Sequence, residues 1–148
     1  MKNIILSVAA CLVLLSGCGN TPPQTVEIDN VAVYEDYTAT LTNAEYFTAD
    51  DGGKMIRVYV EYTNNGADGL YMLESFIVKA FQNDTELADR TDINDDEKSV
   101  TLIQEVKDGQ TITGSYVFEL TDSGPVEVRL CTPTSDEELL AMKEYSDD

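Results

Sequence analysis

The sequence predicts an all-β domain: an antiparallel immunoglobulin-like β-sandwich of about seven strands, followed by a short C-terminal helix. Three observations lead to this fold class. Apolar and polar residues alternate with a period of two in successive segments, turns rich in Gly, Asn and Asp separate these segments, and no long internal stretch has a helical period. The chain has no tryptophan, so its likeness to antibody domains is one of architecture only.

Three strands are predicted in the first part of the domain. Val26–Val33 changes phase and is typical of an irregular edge strand. Tyr37–Phe47, rich in Thr and Tyr, indicates a half-exposed strand. Met55–Thr63 has the clearest alternation of the chain, so we expect it to be a central strand. Its apolar face carries Ile56, Val58, Val60 and Tyr62.

The second part predicts four further strands around one polar loop. Gly114 lies inside one of them, which indicates a bulge or a close backbone contact. The loop, Asp89–Ser99, has Ile93 as its only strongly apolar residue and is expected at the surface. After a short crossing segment, Leu70–Leu73, the predicted strands are Ser75–Gln82, Val100–Val106, Thr111–Leu120 and Val126–Leu130.

The acidic C-terminal segment, residues 132–148, predicts a helix. Ser135 is followed three residues later by Glu138, the spacing of a capping box. Asp136, Glu137 and Glu138 also place negative charge where a helix N-terminus favours it. We therefore expect a helix from about Asp136 to Tyr145, which must dock or fray because it is short.

The N-terminus has the pattern of an export signal. Lys2 precedes an apolar run, Ile4–Leu15, that is too short to span a bilayer. The run ends in Leu15-Ser16-Gly17-Cys18, which matches the lipobox of bacterial lipoproteins. The match implies that residues 1–17 are cleaved and that Cys18 becomes an acylated N-terminus. An ordinary cleaved signal and an uncleaved N-terminal helix are the alternatives.

A lipid anchor on Cys18 would fix where the domain works. Two or three acyl chains hold a protein on a membrane where one chain does not. Residues 18–25 contain two prolines and form a short tether that cannot be helical, and residues 26–131 form the sandwich. We therefore expect a domain held close to the extracytoplasmic face of the cell membrane.

The charge of the chain limits its partners. It has 28 Asp and Glu against 9 Lys and Arg, a formal net charge of −19. Such a field opposes binding to nucleic acid and anionic lipid and favours cations or basic proteins. We expect a protein partner, to which a basic surface would be complementary, and no nucleic acid. Acidity that only keeps an exported domain soluble is the alternative.

The sequence lacks the residues of common catalytic sites. It has no histidine, so the commonest general base and the favoured zinc ligand are absent. With Cys11 in the signal and Cys18 acylated, Cys131 has no partner for a disulfide or a thiolate zinc site. Cys131 is either a small buried hydrophobe or an exposed thiol. We predict neither an enzyme nor a cofactor, and the 131 residues after cleavage are too few for a two-lobed solute-binding protein.

One acidic loop has part of the pattern of a calcium site. Asp92, Asn94 and Asp96 have the spacing of the first, third and fifth ligands of a calcium loop. Glu97 stands where that loop needs Gly, and Ile103 where it needs a bidentate Glu, so an EF-hand is excluded. A weak Ca²⁺ site at the three ligands is one expectation, and a merely solvated loop is the other.

Several tyrosines lie near predicted strand ends. Tyrosine suits interfaces because it buries a rigid ring and keeps a polar group. Packing within the sheets is the alternative for about half of them. Tyr59, beside Arg57 and Glu61 on the less apolar face of its strand, is the predicted partner contact. The tyrosines in question are Tyr34, Tyr37, Tyr46, Tyr59, Tyr62 and Tyr71.

Two strand-and-turn patterns, together with the lipobox, resemble a group of proteins. The patterns are residues 52–65, GGKMIRVYVEYTNN, and residues 79–87, KAFQNDTEL, followed by KDGQ at 107–110. They resemble uncharacterised Gram-positive surface lipoproteins whose domain of unknown function has an immunoglobulin-like sandwich. The likeness covers residues 26–131 and implies a fold and a location, not an activity. We predict a non-catalytic binding module, with an immunity lipoprotein that neutralises an exported toxin as the alternative.

Overall fold

The computed structural model describes residues 29–66, 68–93 and 97–147. The predicted signal, lipobox and tether lie outside these ranges. Within them, seven strands have four residues or more, and three have two. In chain order the elements are β1 (Val31–Tyr34), β2 (Tyr37–Thr48), β3 (Lys54–Asn64), β4 (Leu70–Tyr71), α1 (Met72–Ser75), β5 (Ile77–Gln82), β6 (Thr85–Glu86), two 3₁₀ helices (Thr91–Ile93 and Glu97–Ile103), β7 (Glu105–Val106), β8 (Thr111–Glu119), β9 (Val126–Thr132) and β10 (Ser135–Tyr145).

The strands form two four-stranded sheets, so the predicted all-β sandwich is confirmed. The first sheet has the order β1-β2-β3-β8, the second β10-β9-β5-β6, and β4 pairs with β7 alone. All pairs are antiparallel. β3 pairs with both β2 and β8, which confirms its predicted central position.

The core lies between the two sheets. Period-two alternation turns one side of each strand inward, and the four apolar residues predicted for one face of β3 are fully buried. They meet Ala80 of β5, Val128 of β9 and Ala141 of β10 in one continuous cluster. No helix within the described ranges has the length and apolar character needed to cross a bilayer.

The predicted C-terminal helix is wrong: residues 135–145 form strand β10. β10 pairs with β9 from Ser135↔Thr132 to Tyr145↔Val126, with register shifts around Leu139. The hydroxyl of Ser135 does accept a hydrogen bond from the Glu137 amide, at 3.3 Å, but this local bond forms at the start of a strand. A ten-residue helix is marginal alone, whereas β9 offers a full row of backbone partners.

The predicted strand Val100–Val106 is also largely wrong. Residues 97–103 form a 3₁₀ helix, and only Glu105–Val106 is extended. Leu102 is buried while Val100, two residues earlier, is 53% exposed, because a 3₁₀ helix does not turn every second side chain to the same face. The Thr101 hydroxyl donates a hydrogen bond of 2.8 Å to the carbonyl of Thr113, which holds the helix against β8.

The close contact predicted at Gly114 is confirmed, and it supplies a stability test. A Cβ at this position would lie 2.4 Å from Sδ of Met72 and 2.6 Å from Cδ2 of Leu102, both of which are buried. We expect Gly114→Ala to lower the free energy of unfolding by about 1–3 kcal/mol through overpacking. Urea unfolding of G114A, M72A and the double variant measures it. The double variant should cost less than the sum, and strict additivity would contradict the contact.

Candidate binding site

The predicted partner contact at Tyr59 is wrong, because Tyr59 is only 4% exposed. Its hydroxyl donates a hydrogen bond of 2.8 Å to Oε2 of Glu45, and Nζ of Lys98 lies 4.5 Å from its ring centroid. Arg57 pairs with the same Glu45 carboxylate at 3.4 Å. These residues form an intramolecular cluster on the outer face of the first sheet. Of the three predicted contacts, only Glu61 is exposed.

Of the other predicted site residues, Cys18, Asp92, Asn94 and Asp96, only Asp92 lies within the described ranges. Cys18 precedes them, and Asn94 and Asp96 fall outside them. Asp92 has an exposed side chain whose Oδ1 lies 3.8 Å from Nε of Arg90. The weak calcium site therefore stays a prediction. Cys131 is buried in β9, and burial raises the pKa of its thiol.

Exposed apolar side chains are concentrated on one part of the surface. Of the six large apolar side chains exposed in the described part of the chain, four lie on β4, α1 and the second 3₁₀ helix. α1 contacts that 3₁₀ helix, so the elements that carry the four side chains are neighbours. We call these four the apolar patch: Tyr71, Leu73, Val100 and Ile103.

A cleft adjoins the apolar patch at the end of the sandwich where β1 turns into β2. Its volume is about 200 Å³. Tyrosines and carboxylates make up most of its lining, and Tyr71 belongs to both the cleft and the patch. We call it the tyrosine cleft, after its principal lining residues Tyr34, Glu35, Asp36, Tyr37, Tyr71 and Glu74.

The carboxylates of the tyrosine cleft come from two segments that are far apart in the sequence, the β1–β2 turn and helix α1. Glu35 and Asp36 form the two-residue connection between β1 and β2, and Glu35 has a φ of +47°. A residue other than Gly, Asn or Asp seldom adopts this left-handed conformation. Glu74 is supplied by α1, so it reaches the cleft from the layer that carries the apolar patch.

The inner wall of the cleft is fixed by a buried hydrogen-bond network around Ser75. The Tyr37 hydroxyl donates to the Ser75 carbonyl at 2.7 Å, and the hydroxyls of Tyr62 and Ser75 lie 2.6 Å apart. The Ser75 hydroxyl also donates to the carbonyl of Tyr71 at 2.8 Å. Burial raises the pKa of Tyr37 and Tyr62, so both stay protonated. The network therefore holds β4 and α1 against the first sheet.

Ser75→Ala tests this network. The Tyr62 side chain is fully buried, so its hydroxyl would lose a hydrogen-bond partner without gaining water. We expect a loss of about 1–3 kcal/mol in the free energy of unfolding. Tyr62→Phe in the Ser75→Ala background should recover part of that loss, because it removes the stranded hydroxyl. Chemical denaturation of the Ser75→Ala variant, the double variant and the unaltered chain measures the effect, and no recovery in the double variant would contradict it.

A second, larger cleft lies at the opposite end of the sandwich. It has a volume of about 570 Å³, and its lining mixes Lys54 with Glu119, Asp122 and Asp147. The β8–β9 loop, residues 120–125, forms nearly half of its wall. The loop is held by the buried Gln82 side chain, which bonds the backbone of Thr121, Asp122 and Gly124. No group of three or more His, Cys, Asp or Glu among the described residues is placed to hold a metal ion.

Sequence reasoning singled out Tyr59, which is buried, although the residues of the tyrosine cleft also have a recognisable pattern. Tyr34-Glu35-Asp36-Tyr37 places two carboxylates between two tyrosines at a turn, and Glu74 follows Tyr71 by three residues. Only the folded chain brings these residues beside one cleft, through the hydrogen bonds from Tyr37 and Tyr62 of the first sheet to Ser75.

Comparisons with known proteins agree on the fold and leave the activity open. Residues 19–131 match the profile of DUF5067, a domain of unknown function. No curated protein matches the chain. The resemblance to a Gram-positive lipoprotein family of unknown function is thereby confirmed at the level of the family.

Three solved structures share the fold. A candidate lipoprotein from Staphylococcus aureus has 17% identity and a TM-score of 0.62, covering 79% of this chain and 88% of its own. A protein from Enterococcus faecalis has 22% identity and a TM-score of 0.56, covering 80% and 90%. A candidate lipoprotein of Bacillus subtilis, YcdA, has 14% identity and a TM-score of 0.51, covering 82% of this chain but 39% of its own.

Proposed function

Because the chain belongs to DUF5067, a family of unknown function, we propose that it is a lipid-anchored extracytoplasmic protein whose domain binds a protein partner without catalysis. The observation that carries the binding role is the apolar patch beside the tyrosine cleft. An exposed patch rimmed by polar groups is typical of a protein interaction surface. Tyrosine is enriched at the centre of such surfaces.

The anchor rests on the N-terminal sequence. Leu15-Ser16-Gly17-Cys18 has the order of a lipobox, and two of the structurally similar proteins are named as lipoproteins. The described part of the chain begins at Asp29, eleven residues beyond Cys18. A tether of that length keeps the domain within a few tens of ångströms of the headgroups.

Mass spectrometry of the protein from its native host tests the anchor. The expected N-terminal peptide begins at Cys18 and carries acyl chains, and Cys18→Ser abolishes both the acylation and the membrane fraction. An unmodified N-terminus, or a pool in the cytosol, would overturn the anchor.

Site-specific photo-crosslinking on intact cells tests the binding surface. A photoreactive residue in place of Ile103, in the apolar patch, should give one discrete adduct. The matched control is the same probe in place of Glu61, which is exposed on the outer face of the first sheet and was the sequence-based candidate. Adducts at Glu61 but not at Ile103 would place the surface elsewhere, and adducts at neither would contradict a protein-binding role.

The net charge favours one special case, an immunity lipoprotein. A chain with a net charge of −19 attracts a basic toxin electrostatically and speeds the encounter. Growth competition of a deletion strain against toxin-secreting kin tests this case. The deletion strain should lose against one producer, and unchanged survival against all of them would exclude the immunity role while leaving the general binding role intact.

A further inference from the structure

We propose that the tyrosine cleft receives a single cationic side chain, arginine or lysine, from the protein partner, whose adjacent apolar side chains cover the apolar patch. This inference rests on the proposed binding function and names the chemistry of the partner at one point of contact.

The size of the cleft favours a side chain over a small molecule. Pockets that enclose drug-sized ligands have volumes of about 300–1,000 Å³, and the tyrosine cleft has about 200 Å³. It opens next to an exposed surface, as a pocket for one anchoring residue of an interface does.

The charge of the cleft favours a cation. Its lining includes Glu35, Asp36 and Glu74 and no lysine or arginine, unlike the larger cleft at the other end, which contains Lys54. Carboxylates around a cleft with low-dielectric walls concentrate their field inside it. A partner that brings one positive charge would therefore meet complementary potential.

The carboxylates of the tyrosine cleft are not neutralised by a cation from the described part of the chain. Within the described residues, no lysine or arginine pairs with Glu35, Asp36 or Glu74. The ion pairs of the described part of the chain join Arg57 to Glu45, Lys79 to Glu86 and Asp136, Arg90 to Asp51, Asp92 and Glu119, and Arg129 to Glu127.

The aromatic rings add a second reason for a cation. Tyr34 is half-buried and Tyr71 is 37% exposed, so the cleft has aromatic walls that a guanidinium or ammonium group can approach. A cation over such a ring gains about 0.5–1 kcal/mol at an exposed site and about 2 kcal/mol when desolvated. Tyr71 also lies in the apolar patch, so the two parts of the surface are continuous.

NMR titration of backbone amides with a blocked tripeptide tests the inference. The protein is the chain from Cys18 onward, without lipid, which contains every element of the structure. The probe is acetyl-Leu-Arg-Leu-amide, and its neutral isostere has citrulline in place of arginine. Saturable shifts should appear at Glu35, Gly69, Tyr71 and Glu74, with a Kd of about 1 mM. The citrulline peptide should bind about tenfold more weakly.

Two cleft variants and one matched control decide the site. Glu74→Gln and Tyr71→Ala should each weaken arginine-peptide binding by about threefold. Asp50→Asn removes the same charge from an exposed turn at the opposite end and should leave binding unchanged. Equal weakening by Asp50→Asn, equal binding of the two peptides, or shifts spread over the whole surface would overturn the inference. If adducts still form at Ile103 in that case, the proposed binding function stands without it.

Discussion

A chain that ends at Thr134 is expected to lose its cooperative fold, whereas a chain that ends at Tyr145 keeps it. The first truncation removes β10, which supplies the only partner for one edge of β9 within the described residues. It also removes Ala141 and Tyr145 from the core. The second removes only residues 146–148, of which Ser146 and Asp147 are exposed.

The expected cost of losing β10 is comparable with the total stability of a domain of this size. Loss of the strand leaves one edge of β9 without a partner and admits water to the core beside Val126, Val128 and Leu130, which are fully buried in the complete domain. Each such side chain contributes about 1.5–3 kcal/mol by burial, and small domains unfold with about 5–15 kcal/mol in total. Thermal unfolding monitored by circular dichroism separates the two truncations. A cooperative transition in the shorter chain would show that residues 135–145 are dispensable, as a docked helix could be.

Strand β10 is also a case in which local sequence signals mislead. The family profile ends at Cys131, and the Ser135 to Glu138 spacing indicates a helix start. The segment Leu139-Leu140-Ala141-Met142 is apolar at four consecutive positions and so fits neither period well. The conformation of this segment is decided by its pairing with the edge of β9. That pairing is a tertiary interaction, which no local sequence pattern encodes.

The strands that could be predicted are those that face a core on one side only. β3 alternates cleanly because its outer face carries Arg57, Tyr59 and Glu61. Even there no local pattern indicates that Lys98, from a 3₁₀ helix far along the chain, covers the Tyr59 ring. Exposure of an outer face depends on the loops that cross it, so the tyrosine best placed by periodicity proved to be buried.

The candidate site was harder to predict than the sheets for the same reason. Its two segments, one at the β1–β2 turn and one in β4 and α1, are more than thirty residues apart in the chain and meet through the tertiary hydrogen bonds around Ser75. Composition could indicate that a partner is basic, but not which carboxylates remain without an internal cation. That distinction follows from the ion pairs of the folded chain.

Gln82→Glu is expected to destabilise the domain strongly and in a pH-dependent manner. The Gln82 side chain is 2% exposed. Its Nε2 donates to the carbonyls of Asp122 and Gly124, each at 3.0 Å, and its Oε1 accepts from the amides of Thr121 and Asp122 at 3.2 and 3.0 Å. A carboxylate keeps the two accepted bonds but faces two carbonyl oxygens where the amide donated.

The sign of the pH dependence follows from whether the folded state prefers the protonated or the charged form of the introduced carboxyl group. Burial and the two facing carbonyls disfavour the charged carboxylate, so its pKa in the folded state rises above its usual value of about 4.3. Below that value both states carry the proton, and the folded state can use it to donate one hydrogen bond. Between about pH 4.3 and the folded-state pKa, the folded state binds more protons than the unfolded state. The free energy of unfolding therefore falls as the pH rises through this interval.

Gln82→Met provides the matched control, because it removes all four hydrogen bonds without introducing a titrating group. We expect Q82M to cost about 2 kcal/mol at every pH, and Q82E to cost about 2 kcal/mol near pH 4 and about 4 kcal/mol near pH 7. Urea unfolding of both variants and of the unaltered chain at a series of pH values measures the difference. A cost for Q82E that is flat with pH would mean that the β8–β9 loop opens to let water solvate the carboxylate. In that case Gln82 would not be the group that holds the wall of the larger cleft.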